Sequence, residues 1–152
     1  MSGQSATRST IQEALIRAIS EALSDMTFLD SAVATEELSF RTSHVIAVSC
    51  SRPIHGHIAL YLSLEVKKTI VENVHGRDWG ALSAAEIDDC LLELGNVVAG
   101  NYLTAYCGKE TAHDISLPAL LFDDADLTCP GERVEVYYDV EGSPLRAVIC
   151  LG

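Results

Sequence analysis

The sequence predicts an α+β fold, an antiparallel or mixed β-sheet packed against long α-helices. Three observations carry that prediction. Segments with helical periodicity are long, the longest running over residues 83–105. Strand-like segments come in runs joined by short connections holding Pro and Gly, SRPIHG and EGSP, which is how hairpins are built. The order is helix, strands, two helices, strands, without the strict β-α-β alternation of a parallel sheet. At 152 residues, with no linker or low-complexity tract, the chain reads as one domain over residues 1–152, residues 1–8 being a flexible lead.

After that lead, TIQEALIRAISEALSDM reads as the first helix. Thr10 and Glu13 have the spacing of a capping box, and Ile11, Leu15, Ile19 and Leu23 recur at every fourth position, the stripe of a helix lying on a core. Residues 28–34 read as a connection. TEELSFR, SHVIAVSCS and HIALYLSL then read as three strands of a meander, the second rich in β-branched residues and the third alternating. LEVKKTIVENVHG is the second helix, with Val66, Ile70 and Val74 on one face and Gly76 placed to cap its end. RDWGAL is a short link in which Trp79 is expected to plug against the core. Past the third helix, ETAHDISLPALLF, RVEVYYDV and LRAVICLG read as strands, the last two forming a hairpin through EGSP.

The third helix, SAAEIDDCLLELGNVVAGNYLTA, organises the rest. At 100° per residue, Ile87, Leu91, Leu94 and Val98 fall in a strip about 60° wide, and Asp89, Glu93, Asn96 and Gly100 fall in another, nearly opposite. One face is built for burial and the other for meeting something in water. Ser83 and Glu86 form a capping box at its start. Gly95 and Gly100 each cost about 1 kcal/mol inside a helix relative to Ala, so each predicts a close approach: a neighbouring element at Gly95, a partner at Gly100.

Composition narrows the function. Net charge is −12 with only ten Lys and Arg, which argues against nucleic acid and against an anionic membrane surface as partners. No apolar run is long enough to span a bilayer, and MSGQSATRST shows no secretory h-region, so a cytoplasmic protein is expected. Five cysteines, Cys50, Cys90, Cys107, Cys129 and Cys150, form no CxxC pair, and reduced thiols are expected. Cys50, Cys90 and Cys150 then read as small apolar side chains. His55 and His57 begin a metal site only if a third ligand exists, and none is identifiable; His44, His75 and His113 are isolated. The acidic run at residues 123–126 reads as a solvated loop. No P-loop, dinucleotide glycine pattern or nucleophile elbow is present.

On the third helix, DDCLLELGNVVAGN places Asp89, Glu93 and Asn96 at the spacing Asp, three residues, Glu, two residues, Asn, and Pro118 follows in ISLPALL. This resembles the signature of the CheC/CheX/FliY chemotaxis phosphatases, and a single copy of the motif is closest to CheX-like domains. Pro118 lies one residue nearer the Asn than is usual there, and ALLFDDADL lacks a glycine often found in such chains. The resemblance implies a CheC-like fold and a phosphatase acting on the aspartyl phosphate of a response-regulator receiver domain of the CheY type. It implies that Asn96 orients the attacking water and that Glu93 pairs with the receiver's lysine, with Asp89, Gly100 and Pro118 contacting the partner. It also implies a homodimer, no cofactor bound by this chain, and Mg²⁺ carried by the receiver. Two other readings of the same resemblance are a non-catalytic module that binds a receiver or another signalling protein, and a structural relative of flagellar-switch components.

Overall fold

Antiparallel pairing between distant segments builds the computed structural model, which describes residues 2–52, 55–108, 114–122, 129 and 131–151, the first six of these by backbone alone. Seven strands form one sheet: β1 (Ser31–Val33), β2 (Thr42–Arg52), β3 (Gly56–Ser63), β4 (Asp114–Ile115), β5 (Ala119–Phe122), β6 (Glu132–Val140) and β7 (Ser143–Leu151). Their order is β1-β6-β7-β3-β2-β4, with β5 also on β2, and every pairing is antiparallel. The helices are α1 (Ser2–Thr27), α2 (Leu64–His75) and α3 (Ala84–Cys107).

Strand alternation decides which face of the sheet the helices cover. Ile46 and Val48 of β2, Ile58, Leu60 and Leu62 of β3, Val134, Val136 and Tyr138 of β6, and Leu145, Ala147 and Ile149 of β7 share one core with all three helices. The stripe Ile11, Leu15, Ile19 and Leu23 of α1 is buried in it as expected. The Tyr138 hydroxyl donates to the Ile16 carbonyl at 2.9 Å and the Asn101 amide to the Ala18 carbonyl at 3.2 Å, tying α1 to the sheet and to α3. The opposite face holds a smaller cluster, Val45, Ala59, Tyr61 and Val148, with Phe40 and Leu121 against it. The α+β class is as the sequence predicts, in its fully antiparallel form.

Four expectations are corrected. The backbone of α1 is helical from Ser2, so Thr10 is an exposed interior position rather than a cap. A Thr-x-x-Glu spacing caps a helix only where the preceding backbone leaves the helix, and here it does not. TEELSFR forms no strand. The extended segment is β1, inside the predicted connection, and after Ala34 N–H bonds the Tyr137 carbonyl the chain leaves the sheet so that Phe40 can cover the outer cluster. ETAHDISLPALLF is not continuous either. Pro118, which has no N–H to donate, separates β4 from β5, and Ser116 bridges the gap by exchanging hydrogen bonds with the Ser49 backbone. Finally, Cys129 and Cys150 form a disulfide, while Cys50, Cys90 and Cys107 are not disulfide-bonded. The β6–β7 ladder pairs Arg133 with Cys150, which brings the chain just before β6 alongside Cys150. His113 and the acidic run at 123–126 lie outside the described residues.

The remaining elements follow the sequence. Ser63 caps α2, its Oγ accepting from the Val66 N–H, and Gly76 closes that helix at φ 64°. Trp79 begins a short 3₁₀ turn and packs, half-buried, against the core. The β6–β7 hairpin turns through Glu141 and Gly142, both at positive φ.

Candidate functional site

The candidate site is the outward strip of α3, and its rigidity begins at the helix start. Ser83 Oγ accepts the Glu86 N–H at 3.1 Å, and the Glu86 carboxylate accepts the Ser83 N–H at 3.0 Å, so the predicted capping box is formed. The Arg77 guanidinium pairs with the same carboxylate. The Ser83 N–H first, and Arg77 second, hold the Glu86 carboxyl below its usual range. Leu91, Leu94 and Val98 are fully buried and Ile87 is half-buried.

Gly95 lies under β2. A methyl group placed on it would stand 2.6 Å from Ile46 Cγ2, 3.2 Å from Val48 Cγ2 and 3.5 Å from Pro118 Cβ. The missing side chain therefore lets α3 settle onto the sheet, as the sequence predicts, and it seats Pro118 against the flank of the helix. By contrast, a methyl at Gly100 would meet nothing within 4 Å.

Asp89, Glu93 and Asn96 are exposed, and none of the three makes a side-chain hydrogen bond or ion pair among the described residues. Glu93 and Asn96 are offset by three residues, about 4.5 Å along the axis. The structure thus brings Asp89, Glu93, Asn96 and Gly100 onto one solvent-facing strip, and packs Pro118 on Gly95, which is buried and lies outside that strip. Such a strip is convex. It encloses no small molecule, and can act only by inserting side chains into a recess of something else.

Sequence reasoning missed a polar cluster between α2 and β2. Lys67 is 6% exposed, and its ammonium donates to Ser43 Oγ at 3.1 Å and to His44 Nδ1 at 2.7 Å. It also lies 5.6 Å from the centre of the Trp79 ring, a cation–π contact. Burial lowers its pKa, and Asp88 of α3 partly offsets that shift. The one available signal was Val71, buried at i+4, which puts Lys67 on an apolar face of α2. Of the histidine pair, His57 is on β3 and His55 is exposed beyond its end, and no cluster of three or more metal-ligating side chains occurs among the described residues. Burial, with Arg133 second, pushes the His57 pKa down from 6.5.

A family model described as chemotaxis phosphatase CheX matches residues 45–141, well over half of the chain and all of α3. This chain belongs to the CheX family. Its fold is that of solved CheX proteins. The CheX of Vibrio vulnificus superposes with a TM-score of 0.78 at 15% identity, covering 95% of this chain and 98% of that one. The CheX of Desulfovibrio desulfuricans gives 0.75 at 13% identity, covering 93% and 99%. A CheX–CheY–BeF₃–Mg²⁺ complex from Borrelia burgdorferi gives 0.70 at 18% identity, covering 91% and 96%. No curated protein matches by sequence. Among the described residues, no helix is long and apolar enough to cross a membrane.

Proposed function

We propose that this CheX-family chain hydrolyses the aspartyl phosphate of a response-regulator receiver domain of the CheY type. The observation that carries the reading is the exposed pair Glu93 and Asn96, unpaired among the described residues, on a capped helix that is wedged onto the sheet. The Borrelia relative was solved with CheY, BeF₃ and Mg²⁺, which supports a receiver as the class of partner.

Hydrolysis of an acyl phosphate needs a water in line with the bond that breaks and stabilisation of charge on the transferring group. In this reading the receiver supplies the Mg²⁺ and a lysine, and this chain binds no cofactor. Asn96 enters the receiver's pocket and orients the water through its amide. An amide cannot take the proton, so its contribution is positional. Glu93, one turn back, pairs with the receiver's lysine through a charge-assisted hydrogen bond that fixes the register. Asp89 extends the contact, Gly100 leaves room for the partner's surface, and Pro118 meets it at the flank. A helix suits this task because a stiff backbone fixes the separation of the two working side chains. A homodimer in the cytoplasm belongs to the same proposal, and gel filtration tests the first of these.

The test is loss of acyl phosphate from receivers of the same organism, charged with a small phosphodonor, with and without this chain. Asn96→Ala is expected to remove the acceleration, a loss of about 10²–10³-fold for one positioned polar group, with folding intact. Glu93→Ala is expected to weaken docking about 10- to 100-fold. Binding without acceleration by the unaltered protein would replace this proposal with the adaptor reading.

A further inference from the structure

Leu117 is 90% exposed and Phe122 is 71% exposed, two of the three most exposed large apolar side chains among the described residues. Both belong to the segment that packs on α3 through Pro118. Leu117 immediately precedes Pro118, the residue seated against Gly95. Phe122 ends β5 opposite His44, on the helix-covered side of the sheet, because Ile46 and Leu120, the pair two residues along the ladder, both pack with the main core. Five residues of extended chain separate the two by at most about 17 Å. Asp89 to Asn96 spans about 10 Å of helix. The apolar pair is therefore spaced on the same scale as the polar side chains of the strip.

Neither residue is loosely held. Ser116 anchors the backbone next to Leu117 by accepting the Ser49 N–H at 3.0 Å and donating to the Ser49 carbonyl at 2.9 Å. The Phe122 ring lies 5.1 Å from that of His44, tilted by 52°, and His44 is held in turn by buried Lys67. Exposure of a fixed aromatic ring is the usual state of an interface anchor before its partner arrives.

We propose that Leu117 and Phe122 are apolar anchors for the receiver domain, gripping it on the β5 side of the strip while Glu93 and Asn96 enter its pocket. This rests on the function proposed above. Continuity argues for that occupant: Pro118, which follows Leu117 and leads into β5, packs on Gly95, the residue immediately before Asn96 in α3. Charge argues the same way. The strip carries Asp89 and Glu93 on a chain of net charge −12, so long-range attraction to an acidic phosphorylated protein is absent and adhesion must come from apolar burial.

The experiment measures steady-state dephosphorylation, and separately the affinity for the receiver loaded with beryllofluoride and Mg²⁺, using the full chain. Leu117→Ser and Phe122→Ser are each expected to raise KM and Kd about 10- to 100-fold with kcat unchanged, and Phe122→Leu to recover part of the loss. Thermal melting of each variant should match the parent, because exposed side chains leave no cavity. Unchanged KM and Kd in both serine variants, while the parent still binds and accelerates, would overturn the anchors and leave the phosphatase reading standing. A parent that neither binds nor accelerates would sink both. Conversion of a dimer to a monomer by either serine variant, with Kd for the receiver unchanged, would assign the edge to a second copy of the chain and overturn the proposal.

Discussion

Adding one methyl group at Gly95 and one at Gly100 of the same helix should move stability in opposite directions. Both substitutions gain helix propensity, about 1 kcal/mol each for Gly to Ala. At Gly100 nothing lies within 4 Å of the new methyl, so the gain is uncompensated. For a chain of this size it should raise Tm by about 2–4 °C. At Gly95 the methyl would stand 2.6 Å from Ile46 Cγ2, about 1 Å inside ordinary carbon contact. Ile46 is fully buried and its branched side chain is stiff about χ1, so it cannot rotate out of the way. Overpacking of that kind costs about 1–3 kcal/mol, leaving a net destabilisation of up to about 2 kcal/mol after the propensity gain. Tm should fall by up to about 8 °C. Thermal or urea melts of the two alanine variants decide the matter, and a Gly95→Ala protein as stable as Gly100→Ala would refute the close-approach argument. Under the proposed function, activity should split the other way in part: Gly100→Ala, the more stable protein, should dock less well, because its methyl would stand on the strip proposed to meet the receiver.

Two further outcomes follow from the sheet. His57 is kept neutral by burial and by Arg133, its pKa below 6.5, so the unfolded chain takes up that proton first as pH falls. The fold therefore loses stability from about pH 6.5 downward, until the folded histidine protonates too. His57→Gln should gain on the parent between about pH 7 and pH 5 and show no such gain above that range; parallel pH-dependent curves in urea would refute it. The Cys129–Cys150 disulfide closes a loop with a sequence separation of 21, for which chain-entropy arguments give about 3 kcal/mol. Reduction, or Cys129→Ser, should lower Tm by about 6–12 °C. A melt unmoved by a phosphine reductant, or five free thiols in the denatured protein, would show that the cysteines are not paired.

The elements legible in the sequence are those whose signals are local. α3 combines a capping box, a buried stripe and a polar stripe within its own residues, so both its bounds and its two faces could be read directly. The β6–β7 hairpin and the cap of α2 at Gly76 are equally local. What could not be read depends on partners far along the chain. SAV becomes β1 and TEELSFR does not, because Val33 finds Tyr138 of β6 across more than a hundred residues. Lys67 looks like a surface lysine until β2 brings Ser43 and His44 to it. Cys129 and Cys150 carry no mark of pairing until the hairpin aligns the strands. The strip on α3 was legible because its residues are polar on one helical face; the exposure of Leu117 and Phe122 was not, since an apolar residue beside Pro118 or inside β5 reads as core until exposure is seen.

A convex site divides the molecule's residues into two groups with separable effects. Asp89, Glu93 and Asn96 are exposed and unpaired among the described residues, so they cost the free protein no desolvation and hold none of its structure. Replacing them should leave melting unchanged. What the fold contributes is placement: the cap at Ser83, the seat of Gly95 on Ile46 and Val48, and the contact with Pro118 fix where those side chains stand. Substitutions in that second group should lower stability and activity together, since a shift of about 1 Å at a positioned amide is enough to cost roughly a hundredfold in rate. Under the proposed function the chain positions one water in a receiver's pocket, a task that needs little chemistry of its own and correspondingly little freedom in the rod that carries it.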